Sequence, residues 1–433
     1  MIATIVISSI TFALVIASIL FLPHIKIGRF QIDTYWIVAL VGALILLAAQ
    51  LAPIKEVGEQ LISDAAINPL KILVLFFSMT AISIVLDELG LFKYLASLAS
   101  SRAKDNQFVL FVSLYVLVSV LTVFTSNDIV ILTFTPFICF FAKRSKINPI
   151  PYLVAEFVAA NTWSLMLIIG NPTNIYLATS SGIAFIDYIK IMAIPTLVGG
   201  IVEFGLLLLI FRNQLKQKLQ SDEEIYQIQD KVPLIVGLVD LFVCLIFLII
   251  SSYINVEMWI ISAICAGFLI IFMFIYSLFR SENFVNVKQT FVRLPYQLIP
   301  FFLSMFVIVV ALNYQGITEA IGNFLGSDYS VWVYGYTSFF ASNLINNIPM
   351  SILFSSLTKS LSGEAYIQAV YASIVGSNIG AFLTPIGALA GIMFTNLISK
   401  DDIKYSFIDF IKYGSIISLP VITIILGMLC LFI

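Results

Sequence analysis

Apolar stretches about as long as a membrane-spanning helix follow one another along the chain. A helix that crosses the hydrocarbon layer of a bilayer needs about 20 mostly apolar residues. The stretches that meet this requirement are 2–22, 35–53, 71–88, 150–180, 188–211, 232–252, 258–278, 296–312, 365–399 and 413–433. We predict that each forms a transmembrane helix. The first has no basic residues before it and is longer than the apolar segment of a signal peptide, so we expect it to be retained.

Two further apolar regions are interrupted by polar residues near their middle. The run SND at 126–128 divides the region 107–142, and the run NNIP at 346–349 divides the region 331–358. The apolar segments after these runs are too short to cross a bilayer as helices. We therefore predict two helical hairpins that enter the membrane and turn back.

The composition places the chain in a lipid bilayer. Hydrophobic residues make up 61% of the chain and charged residues only 11%, whereas a soluble domain carries about 25% charged residues. The net charge of −2 says nothing about nucleic acid, and we predict no nucleic-acid partner. The four cysteines lie far apart in apolar stretches, which excludes a disulfide framework and a thiolate metal cluster. His24 is the only histidine, so histidine-based catalysis inside the membrane is not expected.

The basic residues predict the orientation of the spans. With ten spans and two hairpins, 18 of the 22 Lys and Arg residues fall on one side of the membrane. Loops rich in Lys and Arg stay in the cytoplasm. We therefore predict an integral protein of the cytoplasmic membrane with both termini outside. Hairpins that crossed the bilayer fully would give the same count, so the charges do not test re-entrance.

A six-residue motif occurs twice, as FIDYIK at 185–190 and as FIDFIK at 407–412. Other residues recur at similar separations, and these pairs are Trp36 and Trp259, Gly90 and Gly316, Asn127 and Asn346, Asn161 and Asn378, and Gly170 and Gly387. The separations drift by only a few residues, as loop insertions would produce. The spacing therefore indicates one structural unit that is used twice.

Each predicted unit contains five spans and one hairpin. The units are 1–211 and 232–433, and the polar segment 212–231 is the predicted cytoplasmic linker. Because five is odd, the second unit enters the membrane upside down. Inverted repeats with paired broken helices are typical of secondary transporters. The predicted fold is an all-α polytopic membrane protein with two inverted repeats and helices that break at the midplane.

Polar runs interrupt the membrane segments at four places: 126–128, 161–174, 346–349 and 377–387. Their Gly and Pro residues free backbone groups, which are tolerated at membrane depth only when something polar satisfies them. Carbonyl, Asn and Thr oxygens suit a hard cation such as Na⁺, and helix N-termini suit an anion or a polar solute. A single break would be ordinary packing, but two matched pairs favour a functional site.

Asp128 is the most informative single residue. A carboxylate within a membrane segment is costly unless it is paired or functional. We predict a coupling-ion ligand or proton carrier, and the alternative is a simple cap of the following helix. Other acidic residues in or beside the spans are Glu156, Glu203, Asp240, Asp187 and Asp409. The first three are weaker candidates, and the last two are predicted to cap helices at the interface.

The pattern resembles the ion transporter superfamily of arsenite efflux permeases, citrate–metal symporters and divalent anion/sodium symporters. The segments that carry the resemblance are LDELGLFKYLA at 86–96, SNDIVILTFTP at 126–136, NNIP at 346–349 and VGSNIGAFLTPIGALAG at 375–391. These segments look most like the arsenite permeases. The run GNPTN at 170–174 looks more like the citrate and dicarboxylate branches.

The resemblance implies two sets of site residues. The residues that would contact substrate are Ser126, Asn127, Asn346 and Asn347. The residues that would line the coupling-ion sites, together with Asp128, are Asn161, Gly170, Asn171, Asn174, Asn378, Thr384, Pro385 and Gly387. This set contains no Lys or Arg, so an anion would depend on helix N-termini and bound cations for positive potential.

We predict a secondary active transporter that moves a small inorganic or carboxylate anion by alternating access, coupled to Na⁺ or H⁺. The alternatives are an arsenite or antimonite efflux permease and a channel. The chain lacks the motifs of an intramembrane protease and a P-loop. We therefore predict no enzyme activity and no cofactor other than the coupling ion. A homodimer and, for an arsenite permease, a separate ATPase subunit are partners that the sequence leaves open.

Overall fold

The computed structural model describes residues 1–22, 24–27, 30–62, 68–103, 106–216, 226–279, 287–401 and 403–433. The helices in the first half are α1 (Ile2–Phe21), α2 (Thr34–Ala48), α3 (Ile54–Ile62), α4 (Pro69–Glu88), α5 (Leu91–Ala103), α6 (Gln107–Phe124), α7 (Asn127–Ser145), α8 (Ile150–Trp163), α9 (Pro172–Ser180) and α10 (Phe185–Phe211). Those in the second half are α11 (Lys231–Ile250), α12 (Met258–Phe279), α13 (Val287–Arg293), α14 (Leu298–Tyr314), α15 (Ile317–Leu325), α16 (Ser330–Ile345), α17 (Asn347–Leu357), α18 (Gly363–Gly380), α19 (Leu389–Lys400) and α20 (Phe407–Phe432). The nearly all-helical architecture confirms the predicted fold class.

The long helices coincide with the predicted spans. Within the described ranges, the segments long and apolar enough to cross a membrane are α1, α4, α6, α10, α11, α12, α13 with α14, and α20. The predicted spans 150–180 and 365–399 are each divided into two helices, α8 with α9 and α18 with α19. The broken helices therefore lie where the sequence predicts them.

The two hairpins are present, but the first is longer than its apolar segments. Helix α7 continues to Ser145, with Lys143 and Arg144 in its last turn, where positive charge interacts favourably with the helix dipole. The described α6 alone is long enough to cross a bilayer. The entry and return of both hairpins on one side of the membrane stays a prediction.

The apolar pattern does not predict several short elements of the structure. The strands β1 (His24–Ile27) and β2 (Phe30–Asp33) form an antiparallel pair in which His24 lies opposite Asp33. Helices α3, α5, α13 and α15 are also absent from the predicted spans. Their apolar positions follow a helical spacing, but they are too short or too polar to register as membrane segments.

The two copies of the FID motif both begin a long helix. Phe185 is the first residue of α10 and Phe407 is the first residue of α20. Asp409 forms a reciprocal capping box with Ser406, which satisfies amides that the first turn leaves free. In the other copy, Asp187 forms an ion pair with Lys190 at 2.8 Å. Only the second copy therefore acts as the helix cap that we predict for both.

Helix contacts in the two halves occur in matched pairs. Helix α2 packs on α14 as α12 packs on α4, and α7 packs on α19 as α17 packs on α9. Helices α10 and α20 pack on each other. Such reciprocal helix packing is expected when two similar units are related by a two-fold axis. The inversion of the second unit and the boundaries of the units stay predictions, and residues 217–225 of the predicted linker lie outside the described residues.

Candidate functional site

Both hairpins turn at buried polar residues. Ser126 caps the start of α7 and Asn346 caps the start of α17, and their carbonyl oxygens accept from the amides of Val130 and Met350. In the sequence, Asn127 is aligned with Asn346 as the equivalent position of the other repeat. The helix caps change this alignment of the two repeats by one residue. Ser126 corresponds to Asn346, because a cap is fixed by the first hydrogen bond of its helix.

The second hairpin tip is attached to the second broken helix. The Asn346 side chain donates to the carbonyl oxygen of Ile386 at 3.0 Å, and the backbone amide of Asn347 donates to that of Gly387 at 2.9 Å. These carbonyls lie in the break between α18 and α19. The structure thus brings the predicted substrate residues of the second tip together with one of the predicted coupling-ion residues.

Asn343 belongs to the same group and was missed by the sequence analysis. It accepts a hydrogen bond from the Thr384 hydroxyl at 2.6 Å and donates to the Gly380 carbonyl at 3.0 Å. Thr384 is therefore held by α16, one turn before the hairpin tip. The available signal was an Asn three residues before the polar run at 346–349. Pro385 follows Thr384 in the break. A Cβ added to Gly391 would lie 2.5 Å from the carbonyl oxygen of Pro385.

The first hairpin tip contacts the first broken helix through a pair of amides. The Asn127 side chain donates to Asn161 Oδ1 at 3.2 Å, and Asn161 donates to the Phe157 carbonyl at 2.8 Å. Asn127 Oδ1 and the Ser126 hydroxyl are buried and have no hydrogen-bond partner in the part of the chain that the structure describes. Buried polar atoms are normally satisfied, so these two atoms are available to a bound solute or ion.

Asn378 links the two broken helices directly. Its Oδ1 accepts from the Ser164 hydroxyl at 2.8 Å and from the Asn171 side chain at 3.0 Å. Its Nδ2 donates to Asn174 Oδ1 at 2.6 Å and to the Ile374 carbonyl at 2.9 Å. All the hydrogen-bonding capacity of one amide is therefore used, and it joins α18 to both sides of the first break.

Glycine is required once in each break by close approach of the backbone. A Cβ added to Gly170 would lie 2.3 Å from the Ser164 carbonyl oxygen, and one added to Gly387 would lie 2.7 Å from that of Gly380. The two glycines occupy corresponding positions, and the carbonyls that they approach differ by one position between the two repeats. Each break folds back on the end of the preceding helix at a distance that only glycine permits.

We expect Gly170→Ala to displace the first break and to lower the transport rate by at least about tenfold, which corresponds to ~1.4 kcal/mol. The Ser164 carbonyl cannot move without disturbing the hydrogen bond that Ser164 makes to Asn378. The matched control is Gly205→Ala, because nothing lies within 4 Å of an added Cβ at Gly205. Transport is measured in proteoliposomes with equal amounts of protein. Equal rates in the two variants would contradict the importance of this contact.

A cavity of about 150 Å³ lies beside the first hairpin tip. Polar side chains that line it are His24, Asp33, Tyr35, Thr80, Ser126, Asp128, Arg293, Gln297 and Asn396. Apolar side chains from α1, α4, α7, α14 and α19 also line it. Of the predicted site residues, Ser126 and Asp128 line this cavity. The cavity therefore lies between elements of both halves of the chain.

Asp128 has neither a hydrogen bond nor an ion pair with any described residue. It is the second residue of α7, whose cap is Ser126, and it makes no capping hydrogen bond. The interpretation of Asp128 as a simple cap therefore lacks the contact that defines a cap. Its carboxyl group borders the cavity with the positive end of the α7 dipole behind it.

Arg293 brings a basic side chain to this cavity, contrary to the expectation that the site contains none. It forms ion pairs with Asp87 at 2.6 Å and Glu88 at 2.5 Å. Asp87 also accepts a hydrogen bond from Thr133 of the first hairpin at 3.0 Å. The sequence contains the two acidic residues in the segment LDELG, but the partner is more than 200 positions away, so only the fold reveals the pair.

The remaining buried acidic residues lie away from the cavity. Glu156 accepts from the Thr135 hydroxyl at 3.0 Å, and Glu203 contacts Tyr115 and Thr162. The thiol of Cys244 donates to Met79 Sδ at 3.8 Å, and all four cysteines are free thiols. Among the described residues, no group of three His, Cys, Asp or Glu side chains is arranged to hold a metal ion.

Long apolar helices, two buried hairpin tips and two broken helices linked by side-chain amides define a polytopic membrane permease. A family model described as Citrate transporter matches residues 30–376. The match covers most of the chain, which therefore belongs to the citrate transporter family.

Individual relatives and one solved structure also match most of the chain. The Arsenical pump membrane protein of Escherichia coli (strain K12) is 27% identical over an alignment of length 373 that covers 82% of this chain and 85% of that protein. The Putative arsenical pump membrane protein of Bacillus subtilis (strain 168) is 24% identical over an alignment of length 425 that covers 90% of this chain and 92% of that protein. The crystal structure of the Alcanivorax borkumensis YdaH transporter has a TM-score of 0.54 at 14% identity and covers 98% of both chains, which shows a shared fold.

Proposed function

We propose that the protein is a secondary active transporter for a small carboxylate or inorganic anion, coupled to Na⁺ or H⁺. One observation carries the proposal: Asp128 borders a cavity and has no hydrogen-bond or ion-pair partner among the described residues, beside a hairpin tip with two polar atoms that lack a partner within the same ranges. An unpaired carboxylate in a membrane protein is a functional residue by default. Asp128 in this proposal binds the coupling cation or carries the proton.

The substrate in this proposal is held by the hairpin tips. The Ser126 hydroxyl and Asn127 Oδ1 are free, and the N-termini of α7 and α17 add positive potential. On the second tip, Asn346 and Asn347 make hydrogen bonds to the second break. A solute that binds at this tip would therefore affect the position of the second break. This arrangement connects substrate binding with the breaks that alternating access has to move.

The two breaks are proposed as cation sites in addition to Asp128. Each supplies carbonyl oxygens that a folded-back backbone brings together, around Gly170 and around Gly387. A cation bound there offsets the charge of an anionic substrate, because the cavity has Asp33 and Asp128 and its Arg293 is already paired. Anion binding therefore requires the coupling ion, whereas binding of a neutral solute does not.

We expect citrate binding to the purified protein to strengthen at least about tenfold, ~1.4 kcal/mol, when Na⁺ is added or the pH is lowered. The measurement is calorimetry with citrate, succinate and arsenite, with and without Na⁺, at two pH values. Choline replaces Na⁺ in the control at the same ionic strength. Tight citrate binding that ignored both ions would contradict the proposed electrostatics.

Arsenite or antimonite export is the second candidate, because the proteins compared above include arsenical pump membrane proteins. Arsenite as its neutral trihydroxide would be recognised by hydrogen bonds from the Asn and Ser side chains at the tips. Binding of arsenite that is independent of Na⁺, together with no binding of citrate, would favour this candidate. A separate ATPase subunit, a homodimer and the location of both termini outside stay predictions.

A further inference from the structure

A hydrogen-bonded cluster of buried side chains lies at the end of α8, outside the site described above. Its centre is Glu203 of α10, whose side chain is 0% exposed. Thr162 of α8 contacts one carboxyl oxygen, and Tyr115 of α6 lies 3.1 Å from the other. Trp163, the last residue of α8, donates its indole N–H to the Tyr115 hydroxyl at 3.1 Å. The cluster joins three helices.

The number of hydrogens in this cluster determines the state of Glu203. The Tyr115 hydroxyl lies 2.7 Å from the carbonyl oxygen of Gly200 and 3.1 Å from Glu203 Oε1. It has one hydrogen to donate, and the Gly200 carbonyl can only accept. The Trp163 indole also has no acceptor. When the Tyr115 hydrogen points to the Gly200 carbonyl, which is the nearer acceptor, the contact between Tyr115 and Glu203 contains a hydrogen only if Glu203 Oε1 carries it.

The rest of the cluster fits a neutral carboxylic acid. The Thr162 hydroxyl donates to Glu203 Oε2, which then acts as the carbonyl oxygen of the acid. An ionised Glu203 would have an isolated charge, because no described Lys, Arg or His forms an ion pair with it. Tyr115 is the titratable group that faces it from α6, and no charged side chain on α8, α10, α11 or α20 acts on it. Burying a lone charge is costly.

We propose that Glu203 is a proton-binding site that positions the end of α8 beside the first break. Thr162 follows Asn161, whose side chain holds Asn127 of the first hairpin tip at 3.2 Å. Gly200 lets the indole of Trp163 lie directly on α10, since an added Cβ would be 2.5 Å from Trp163 Cζ2. Loss of the proton removes the hydrogen between Glu203 and Tyr115 and loosens the end of α8, and with it the amide pair at the tip. Glu203 is thus a positioning residue.

Infrared difference spectroscopy of wild type minus Glu203→Gln tests the proton directly. We expect the difference spectrum at neutral pH to contain the C=O band of a protonated carboxyl, shifted in D₂O. The control is Glu319→Gln, which removes an exposed glutamate and should show the bands of a carboxylate. Carboxylate bands in the Glu203→Gln difference would overturn the proposal. This measurement does not depend on the proposed transport function.

Stability and pH profiles test the positioning role. Gln donates to Tyr115 and accepts from Thr162 as the neutral acid does, so Glu203→Gln should keep the wild-type melting temperature, whereas Tyr115→Phe should lower it. The last test rests on the proposed function: citrate affinity in Na⁺ should fall at alkaline pH in wild type and stay level in Glu203→Gln. Parallel pH profiles in the two proteins would overturn the positioning role. Absence of citrate binding at every pH would contradict the proposed function. The infrared spectrum would still show whether Glu203 carries a proton.

Discussion

Transport by an Asn378→Ala variant is expected to fall by about 100-fold or more, ~2.7 kcal/mol. The side chain makes four hydrogen bonds, of which three join α18 to both sides of the first break and one stays within α18. Each buried bond contributes about 0.5–1.5 kcal/mol, and an abandoned partner costs about 1–3 kcal/mol, so stability should fall as well. The measurement is uptake in proteoliposomes, with thermal unfolding of the same preparation.

The control for this prediction is Ser373→Ala on the same helix. Ser373 is equally buried, but its hydroxyl bonds only to the Ala369 carbonyl of its own helix. A second variant, Asn378→Asp, keeps the acceptor for Ser164 and Asn171 but places an acceptor against Asn174 Oδ1. It should fold and still transport poorly. Rates for the Asn378 variants equal to those of Ser373→Ala would show that the link between the breaks is dispensable.

The Asp128→Asn variant is expected to lose gradient-driven accumulation by about 100-fold, ~2.7 kcal/mol, while it stays folded in the membrane. Asn keeps the size of the side chain and removes the charge that a cation or proton would neutralise. Since no described residue bonds to Asp128, the substitution breaks no hydrogen bond or ion pair with the part of the chain that the structure describes. Accumulation is measured in proteoliposomes with an imposed Na⁺ or pH gradient.

Asp187→Asn is the matched control, because Asp187 is an exposed carboxylate that pairs with Lys190 in the first turn of α10. It should accumulate substrate at the wild-type rate. Substrate exchange without a gradient separates coupling from binding: Asp128→Asn should retain exchange if its role is coupling alone. Wild-type accumulation by Asp128→Asn would show that the carboxylate has no part in coupling.

The breaks and hairpin tips could be predicted because polar residues in apolar segments conflict with the membrane. A polar run such as that at 346–349 needs a local reason, and the structure gives one: its amides bond to the second break. The separation of 217 residues between Asn161 and Asn378 survives in the structure, since both are the third residue from the end of a helix. Their separation therefore reflects equivalent positions in two similar units.

Other parts of the site depend on partners that only the fold brings together. Arg293 reaches the cavity because α13 packs on α4, and its pairing with Asp87 has no trace in the local sequence. Asn343 lies in an apolar helix and becomes informative only when the break at Thr384 folds against it. The β1–β2 pair is too short for an alternating pattern to stand out. The proposed proton on Glu203 depends on hydrogen-bond partners from three helices, which the local sequence does not show.

The central claim is that the protein is a carrier whose cycle is coupled to a cation. The most direct measurement is uptake of labelled citrate into proteoliposomes, with and without an inward Na⁺ or proton gradient. The same uptake is then measured into proteoliposomes that were loaded with unlabelled citrate. The account predicts saturable accumulation above equilibrium that requires one of the gradients, and faster uptake when substrate is present inside. Flux that does not saturate, follows only the gradient of the substrate itself and ignores internal substrate would contradict it.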